Sequence, residues 1–339
     1  MGLPGGSGKE EWLMAEFSAA SAADVDVILD MICARMAWMD ERGLRQWNAT
    51  DYFGCYPRAY FEEGAARGDF YLLKEEGRPV GAVALFEKDG RWDDDPAYFY
   101  VHHLTTRPGH AGAGAAMLRF AEDLGRRRGK RGIRLDSAVD NPRLSAYYED
   151  LGYPAVSTFL EGLYEGVRRV KYLDLPLAFC RAEGENLEEL WEIEGQCFPE
   201  NEMCLRENFE RRLAQCPDHF LLLRRTDSGE ICAFLSDIRS DAPHLTDDMF
   251  SGAVRHVPAG DGMMLLGLNV RPAYRGRGLA SMLLRRRIGE ARRMGLSRMV
   301  LTCHDHLLLY YSAFGFLPAG PALSQWGGTR WYEMVLPLK

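Results

Sequence analysis

No run of apolar residues in this 339-residue chain approaches the ~18 that a membrane-spanning helix requires, and the polar start from Met1 to Glu11 lacks the apolar core of a secretory signal. Paired cysteines are missing as well. The cysteines at 33, 55, 180, 197, 204, 216, 232 and 303 form no Cys-x-x-Cys pair and no zinc-type spacing with histidine. That argues against a metal site or a disulfide framework and for reduced, mostly buried thiols. Nor is there a basic surplus: the formal net charge of −8 is unsuited to neutralising nucleic-acid phosphates and better matched to a cationic small molecule. With 47% hydrophobic and 27% charged residues, the composition is that of an ordinary globular chain. These features together imply a cytoplasmic protein that uses no metal and has neither nucleic acid nor membrane as partner; monomer and homodimer both stay open.

The chain does contain an internal repeat. Arg107-Pro108-Gly109-His110-Ala111-Gly112-Ala113-Gly114-Ala115-Ala116 lines up without a gap under Arg271-Pro272-Ala273-Tyr274-Arg275-Gly276-Arg277-Gly278-Leu279-Ala280. Further on, Ala146-Tyr147-Tyr148-Glu149-Asp150-Leu151-Gly152-Tyr153 lines up under Leu309-Tyr310-Tyr311-Ser312-Ala313-Phe314-Gly315-Phe316, in a register that differs by one residue. Two distant landmarks in near-constant register mean a duplicated domain, and each half is long enough to bury its own core. The boundary falls near Asp174-Leu175-Pro176, which gives domains over 13–175 and 176–339.

Both halves run through the same order of elements. Ser21-Ala22-Ala23-Asp24 reads as a helix start, followed by Val25, Ile28, Leu29, Ile32 and Met36 at helical spacing. Its counterpart runs from Asn186 to Cys197, with Asn186 as cap and Glu189 three residues on. Strand-like runs follow at Phe70 to Leu73, Val80 to Phe86 and Ala97 to Thr106, and again at His219 to Arg224, Ile231 to Ile238 and Met263 to Val270. Helix-like runs Ala115 to Arg128 and Leu279 to Met294 end at Gly129 and Gly295, and strands Gly132 to Ser137 and Met299 to Cys303 come next. Such alternation describes an α/β or α+β fold.

A strand, a glycine-rich turn and a helix start make a phosphate cradle. Small residues let the backbone approach an anion, and the first helical amides, without partners inside the helix, point outward with the positive end of its dipole. Two other phosphate loops fit less well. A dinucleotide fingerprint wants a third glycine where Ser281 and Met117 stand. The tail Gly6-Ser7-Gly8-Lys9 lacks the first glycine, the following Ser/Thr and the preceding strand of a nucleotide-triphosphate loop.

Arg275-x-x-Gly278-x-Ala280, preceded by Val270-Arg271-Pro272 and followed by Tyr311 and Gly315-Phe316, resembles the acyl-CoA signature of the GNAT superfamily of N-acyltransferases, in two tandem copies over nearly the whole chain. In the second half, Leu301-Thr302-Cys303-His304-Asp305 through Pro321 and Gln196-Cys197-Phe198-Pro199 through Leu205 are similar to arylalkylamine (serotonin-type) N-acetyltransferases. The first half, with Trp38, Gln46-Trp47, Trp92, Tyr100-Val101-His102, Arg134-Leu135-Asp136 and Asn141, resembles a large group of bacterial GNAT proteins. The resemblance implies a mixed, mostly antiparallel sheet flanked by helices in each half, and transfer of acetyl from acetyl-CoA to a small primary amine.

The resemblance also implies roles. Tyr311 and Tyr148 stand where the family places the general acid that protonates the departing thiolate, although the residues alone read as half-buried packing tyrosines. On the cofactor it would set Leu268, Val270, Arg275, Gly276, Arg277, Gly278 and Ala280 in one half, and Leu104, Thr106, Ala111, Gly112, Gly114, Ala116 and Asn141 in the other. His304 stands in the second half where the family asparagine would meet the pantetheine arm, which counts against that contact there. Because Ala111 stands at the place of Arg275, the first copy keeps only amides and the helix dipole for the pyrophosphate, so the second copy should bind CoA more tightly. Met264 and Leu266 occupy the two histidine positions of the vertebrate arylalkylamine enzymes. Glu202, otherwise a solvated loop acid, is the closest match to the base glutamate that insect-type relatives carry in the loop after the first helix, and His102, otherwise a core histidine, stands on the corresponding strand of the first half. From the residues themselves, Trp92 beside Asp93-Asp94-Asp95, and Phe198, Trp326 and Trp331, read either as walls for a cationic or aromatic amine or as core packing and exposed loop chemistry. Two rival arrangements are one catalytic half beside an inert one, and an acyl-CoA sensor that transfers nothing.

Overall fold

A computed structural model describes residues 15–162, 164–251 and 255–339. The tail Gly6-Ser7-Gly8-Lys9 and the polar start lie outside them. The chain divides after Leu175 into two units, the second beginning at Pro176.

The first unit runs β1 (Glu16–Ala19), α1 (Val25–Glu41), α2 (Tyr52–Cys55), α3 (Arg58–Arg67), β2 (Phe70–Glu75), β3 (Arg78–Phe86), β4 (Tyr98–Thr106), α4 (Ala113–Arg127), β5 (Gly132–Ala138), α5 (Pro142–Asp150), β6 (Ala155–Glu161) and β7 (Tyr164–Tyr172). Its sheet has the order β1-β2-β3-β4-β5-β7-β6. The second unit runs β8 (Leu177–Arg181), α6 (Leu187–Cys197), α7 (Arg206–Gln215), β9 (Phe220–Arg225), β10 (Ile231–Ser240), α8 (Asp248–Ser251), β11 (Gly262–Val270), α9 (Leu279–Arg293), β12 (Arg298–Cys303), α10 (Leu308–Ser312), β13 (Leu317–Pro321) and β14 (Tyr332–Pro337). Its sheet has the order β13-β14-β12-β11-β10-β9-β8. Each sheet is thus mixed and mostly antiparallel, as expected.

A splayed pair in each sheet positions the site. β4 and β5 run parallel and pair only through Tyr100 and Arg134, although β4 continues to Thr106 and β5 to Ala138. β11 and β12 likewise pair only through Met264 and Val300, while β11 continues to Val270. A bulge on the longer strand accompanies each divergence. It falls at Leu266 on β11, and at His103 and Leu104 on β4, where His103 has φ +51°. An extra residue in one strand bends it and increases its twist, which opens the two arms.

Apolar side chains cover both faces of the first sheet. Val25, Ile28, Met31, Ile32, Phe61 and Phe70 form one layer, and Val83, Phe99, Met117, Leu118, Ala121 and Ile133 the other. In the second unit Leu190, Ile193, Phe209, Leu213, Phe220 and Phe234 lie beneath α6 and α7. Each such fully buried aliphatic or aromatic side chain contributes about 1.5–3 kcal/mol. The Ser21/Asp24 capping box forms as read. In the second unit the box is instead Glu183 with Asn186, because a single 3-10 turn precedes α6, and Glu189 accepts from the Ile231 amide at 2.7 Å. Gly129 and Gly295, at φ +66° and +72°, close α4 and α9.

Candidate active site

The open arms of β11 and β12 enclose a cleft of about 120 Å³, lined on the strands by Leu265 to Leu268 and Leu301 to His304. α6 and the loop after it supply Glu194, Phe198, Glu202 and Cys204. The β13–β14 connection supplies Ser324, Trp326 and Trp331, and α10 supplies Tyr311. All of these come from separate parts of the chain.

Glu202 is held firmly. Its amide closes a helical turn on the Pro199 carbonyl at 2.9 Å, and its carbonyl accepts from Trp326 Nε1 at 2.9 Å. Trp331 Nε1 donates to the Trp326 carbonyl at 2.8 Å, so both indoles are tied to the loop. The Glu202 carboxylate meets His304 Nε2 at 3.1 Å, and the His304 ring stacks on Trp331 with centroids 4.3 Å apart. Histidine at the position of the family asparagine thus partners the acid that sequence reading singled out.

Tyr311 is buried on the cleft wall. Burial, then Tyr310 and Cys303, push its hydroxyl well above the usual tyrosine range, so it stays a proton donor at neutral pH. Burial also pushes the Cys303 thiol up to about 11, which keeps it neutral and a poor nucleophile.

At the other end of the splay lies the glycine turn. Gly276 and Gly278 take φ +75° and +72°, and Gly278 caps α9. A Cβ on Gly276 would meet nothing within 4 Å, so the ground above the loop is open to a bulky anion. The Arg275 guanidinium turns back, with Nε donating to the Val270 carbonyl at 3.2 Å and Nη2 to the Gln196 carbonyl at 3.4 Å. Val270 also takes the Cys197 thiol at 3.3 Å, and Leu268 lines the cleft. Arg277 and Ala280 complete the turn into the helix.

The first half differs in detail. α4 begins at Ala113, after Gly112 at φ +82°, so Gly112 takes the capping place of Gly278 and the gapless alignment of the two loops fails by two residues. Gly114 therefore lies inside the helix, with the Tyr147 hydroxyl 2.9 Å from where its Cβ would be. Ala116 cannot hold a diphosphate: its amide donates to the Gly112 carbonyl at 3.0 Å and the residue is buried in the core. Thr106 is held by Arg35 of α1, whose Nη2 donates to its Oγ1 at 2.6 Å, while Leu104 packs on the core and Ala111 precedes the cap. Asn141 Oδ1 caps α5 by accepting from the Leu144 amide at 3.0 Å.

Tyr148 is buried like Tyr311, and burial, with Tyr147 and Asp136, pushes its hydroxyl up. His102 Nε2 meets Asp89 Oδ2 at 2.8 Å. Burial would raise the Asp89 carboxyl, but the His102 hydrogen bond and charge outweigh it and hold the group low. The bulge turns His103 into a cluster of Tyr52 and Tyr60, whose hydroxyls reach Nδ1 at 2.5 Å and Nε2 at 3.0 Å. Trp92 is not an open wall for a cation. The Arg134 guanidinium already lies 4.7 Å from its ring, and the same guanidinium pairs with Asp93 at 2.5 Å.

Sequence reasoning missed Glu194. Leu187, Leu190 and Trp191 put the next position of the buried helix face at 194, and a carboxylate there was the available signal. Phe250, which stacks on Trp326 at 5.8 Å, comes from a helix of four residues too short for a periodicity reading.

The profile of the acetyltransferase (GNAT) family matches residues 41–153 and 187–316. Serotonin N-acetyltransferase of Mesocricetus auratus is 30% identical over 128 residues, covering 38% of this chain and 59% of that protein, so the match spans about three-fifths of the relative's length. Among solved structures, the loading GNATL domain of CurA from Lyngbya majuscula aligns with 48% of this chain and 98% of its own, at 18% identity and a TM-score of 0.43. PaiA N-acetyltransferase from Thermoplasma acidophilum, in complex with coenzyme A, aligns with 47% of this chain and 99% of its own, at 16% identity and a TM-score of 0.39.

Proposed function

The chain belongs to the GNAT acetyltransferase family, and on that premise we propose that it is an N-acetyltransferase whose second half moves acetyl from acetyl-CoA to a small, aromatic primary amine. The observation that carries this reading is the cleft between β11 and β12, lined by a buried tyrosine and a fixed carboxylate, together with the left-handed glycine turn that follows β11 and opens α9. CoA fits the turn: the first amides of α9 have no partners within the helix, and Gly276 leaves open ground above them. When bound, acetyl-CoA supplies the thioester carbonyl that the amine attacks.

The residues of the chain do the rest. Glu202, held by Trp326 and His304, draws the ammonium group into the cleft. Phe198, Phe250, Trp326 and Trp331 give it apolar walls suited to an aromatic substituent, which agrees with the serotonin-type resemblance. A backbone amide on the open arm of β11 takes the developing oxyanion, and Tyr311 protonates the departing thiolate. The first half serves as an inert partner or a weaker CoA site. Its strand end is pinned by Arg35, and its Trp92 region is filled by its own cations.

Thiol release from acetyl-CoA over a panel of arylalkylamines, polyamines, amino acids and peptide amines tests the proposal. Release with arylalkylamines supports it. Binding of CoA with no release across the panel would leave an acyl-CoA sensor.

A further inference from the structure

Glu194 lines the same cleft as Glu202 and Tyr311 but is only 5% exposed. It reaches the cleft floor at the bulge of β11. Its Oε2 lies 3.9 Å from the point where Gly267 would carry a Cβ, and the same point is 3.1 Å from Asn269 Nδ2 and 3.2 Å from Ser236 Oγ. Any residue larger than glycine would close this corner. Asn269 is fully buried, and its side chain hydrogen-bonds the Glu194 carboxylate. A carboxylate, an amide and a hydroxyl thus converge on one bare stretch of backbone, where the open arm begins.

We infer that Glu194 takes the proton from the attacking ammonium group, at the corner of the cleft where Gly267 leaves the backbone bare. This rests on the acyl-transfer reading of the second half. Glu202 has a different task, because its carboxylate is engaged by His304 at 3.1 Å and sits toward the loop. Two protons leave the nitrogen when an ammonium becomes an amide. One passes to Glu194 and is released to solvent after the product departs. The nitrogen then forms its bond to the acetyl carbon as the carbon–sulfur bond breaks, and the second proton reaches the sulfur by way of Tyr311.

The surroundings suit that task. Burial raises the Glu194 carboxyl above the usual carboxylate range, partly offset by the Arg212 guanidinium, the Cys204 amide and Asn269. A base with proton affinity nearer neutrality accepts a proton more readily. The other titratable groups around it are the Cys204 and Cys197 thiols, both pushed up by burial, and across the cleft Glu202 and His304.

The test compares E194Q with wild type on two acceptors, an alkylamine protonated at neutral pH and a weakly basic arylamine already neutral there. E194Q is expected to lower kcat about 100-fold with the alkylamine, to stay within a few-fold of wild type with the arylamine, and to leave acetyl-CoA affinity unchanged. Equal losses with both acceptors, or no loss with either, overturn the assignment. Should wild type transfer to neither amine, the function proposed above fails. Infrared difference spectra of wild type then decide Glu194 separately. A carboxylic acid C=O band that appears on alkylammonium binding supports the role, and its absence overturns it. The same spectra stand in if E194Q does not fold.

Discussion

Glu202 and His304 lie 102 residues apart in the chain and meet at 3.1 Å across the mouth of one cleft. The pair joins the loop after α6 to the open end of β12, and the stacking of His304 on Trp331 fixes the third side. E202Q keeps the shape and removes the charge. With an alkylammonium acceptor its KM should rise about 10-fold, equivalent to about 1.4 kcal/mol, with acetyl-CoA affinity unchanged. Steady-state kinetics with each substrate varied in turn checks this. An unchanged amine KM would remove Glu202 from the acceptor site.

The duplicated loop made the fold readable, since each copy placed a strand end, a glycine turn and a helix in order and the two copies supported one another. Tyr311 stands among those landmarks, whereas Glu202 was reached only through the resemblance to arylalkylamine enzymes, and the structure sets both on the lining of one cleft. Glu194 was not readable, because its meaning depends on Asn269 and Gly267, which reach it only through sheet pairing. The Glu202–His304 contact is equally non-local. Trp92 misled because a tryptophan beside acids looks like a cation site, whereas Arg134, from β5, already occupies it. Ala116 misled because helix α4 starts two residues earlier than the aligned repeat implies.

Gly278 holds φ +72° at the start of α9, a conformation that costs an alanine roughly 1–2 kcal/mol. G278A should weaken acetyl-CoA binding about 10-fold, whereas G112A in the first half should lower thermal stability by a similar free energy with little effect on turnover. Calorimetric titration and thermal melts of both variants separate the outcomes. Equal loss of turnover in the two would show that both halves work.

His103 makes the first unit sensitive to acid. Burial, then His102 and Arg91, lower its pKa to about 3, so it is neutral in the folded protein while the unfolded chain binds a proton near the ordinary histidine value. The unfolded state therefore gains protons first as pH falls. Stability should be fully present above about pH 6.5 and should decline by about 1.4 kcal/mol per pH unit below it, until the folded group titrates. H103N should flatten that slope in denaturant melts recorded between those pH values. An unchanged slope would place the acid sensitivity elsewhere.

Asp237 and Arg287 are both fully buried and bonded, Nη2 to Oδ1 at 2.7 Å, with Arg287 Nη1 also on Glu290 at 2.9 Å. Burial would raise the Asp237 carboxyl, but the Arg287 charge and the His219 hydrogen bond hold it low. D237N removes one of the two carboxylates that compensate the buried guanidinium, leaving Glu290 alone, and should cost about 3 kcal/mol. A shift of less than 1 kcal/mol in chemical denaturation would contradict this.

The most direct measurement is thiol release from acetyl-CoA with an arylalkylamine acceptor, made on wild type, Y311F and Y148F side by side. Amine-dependent release that falls about 100-fold in Y311F and holds within two-fold in Y148F is the predicted result. Release that survives Y311F, or that collapses only in Y148F, would contradict acyl transfer in the second half.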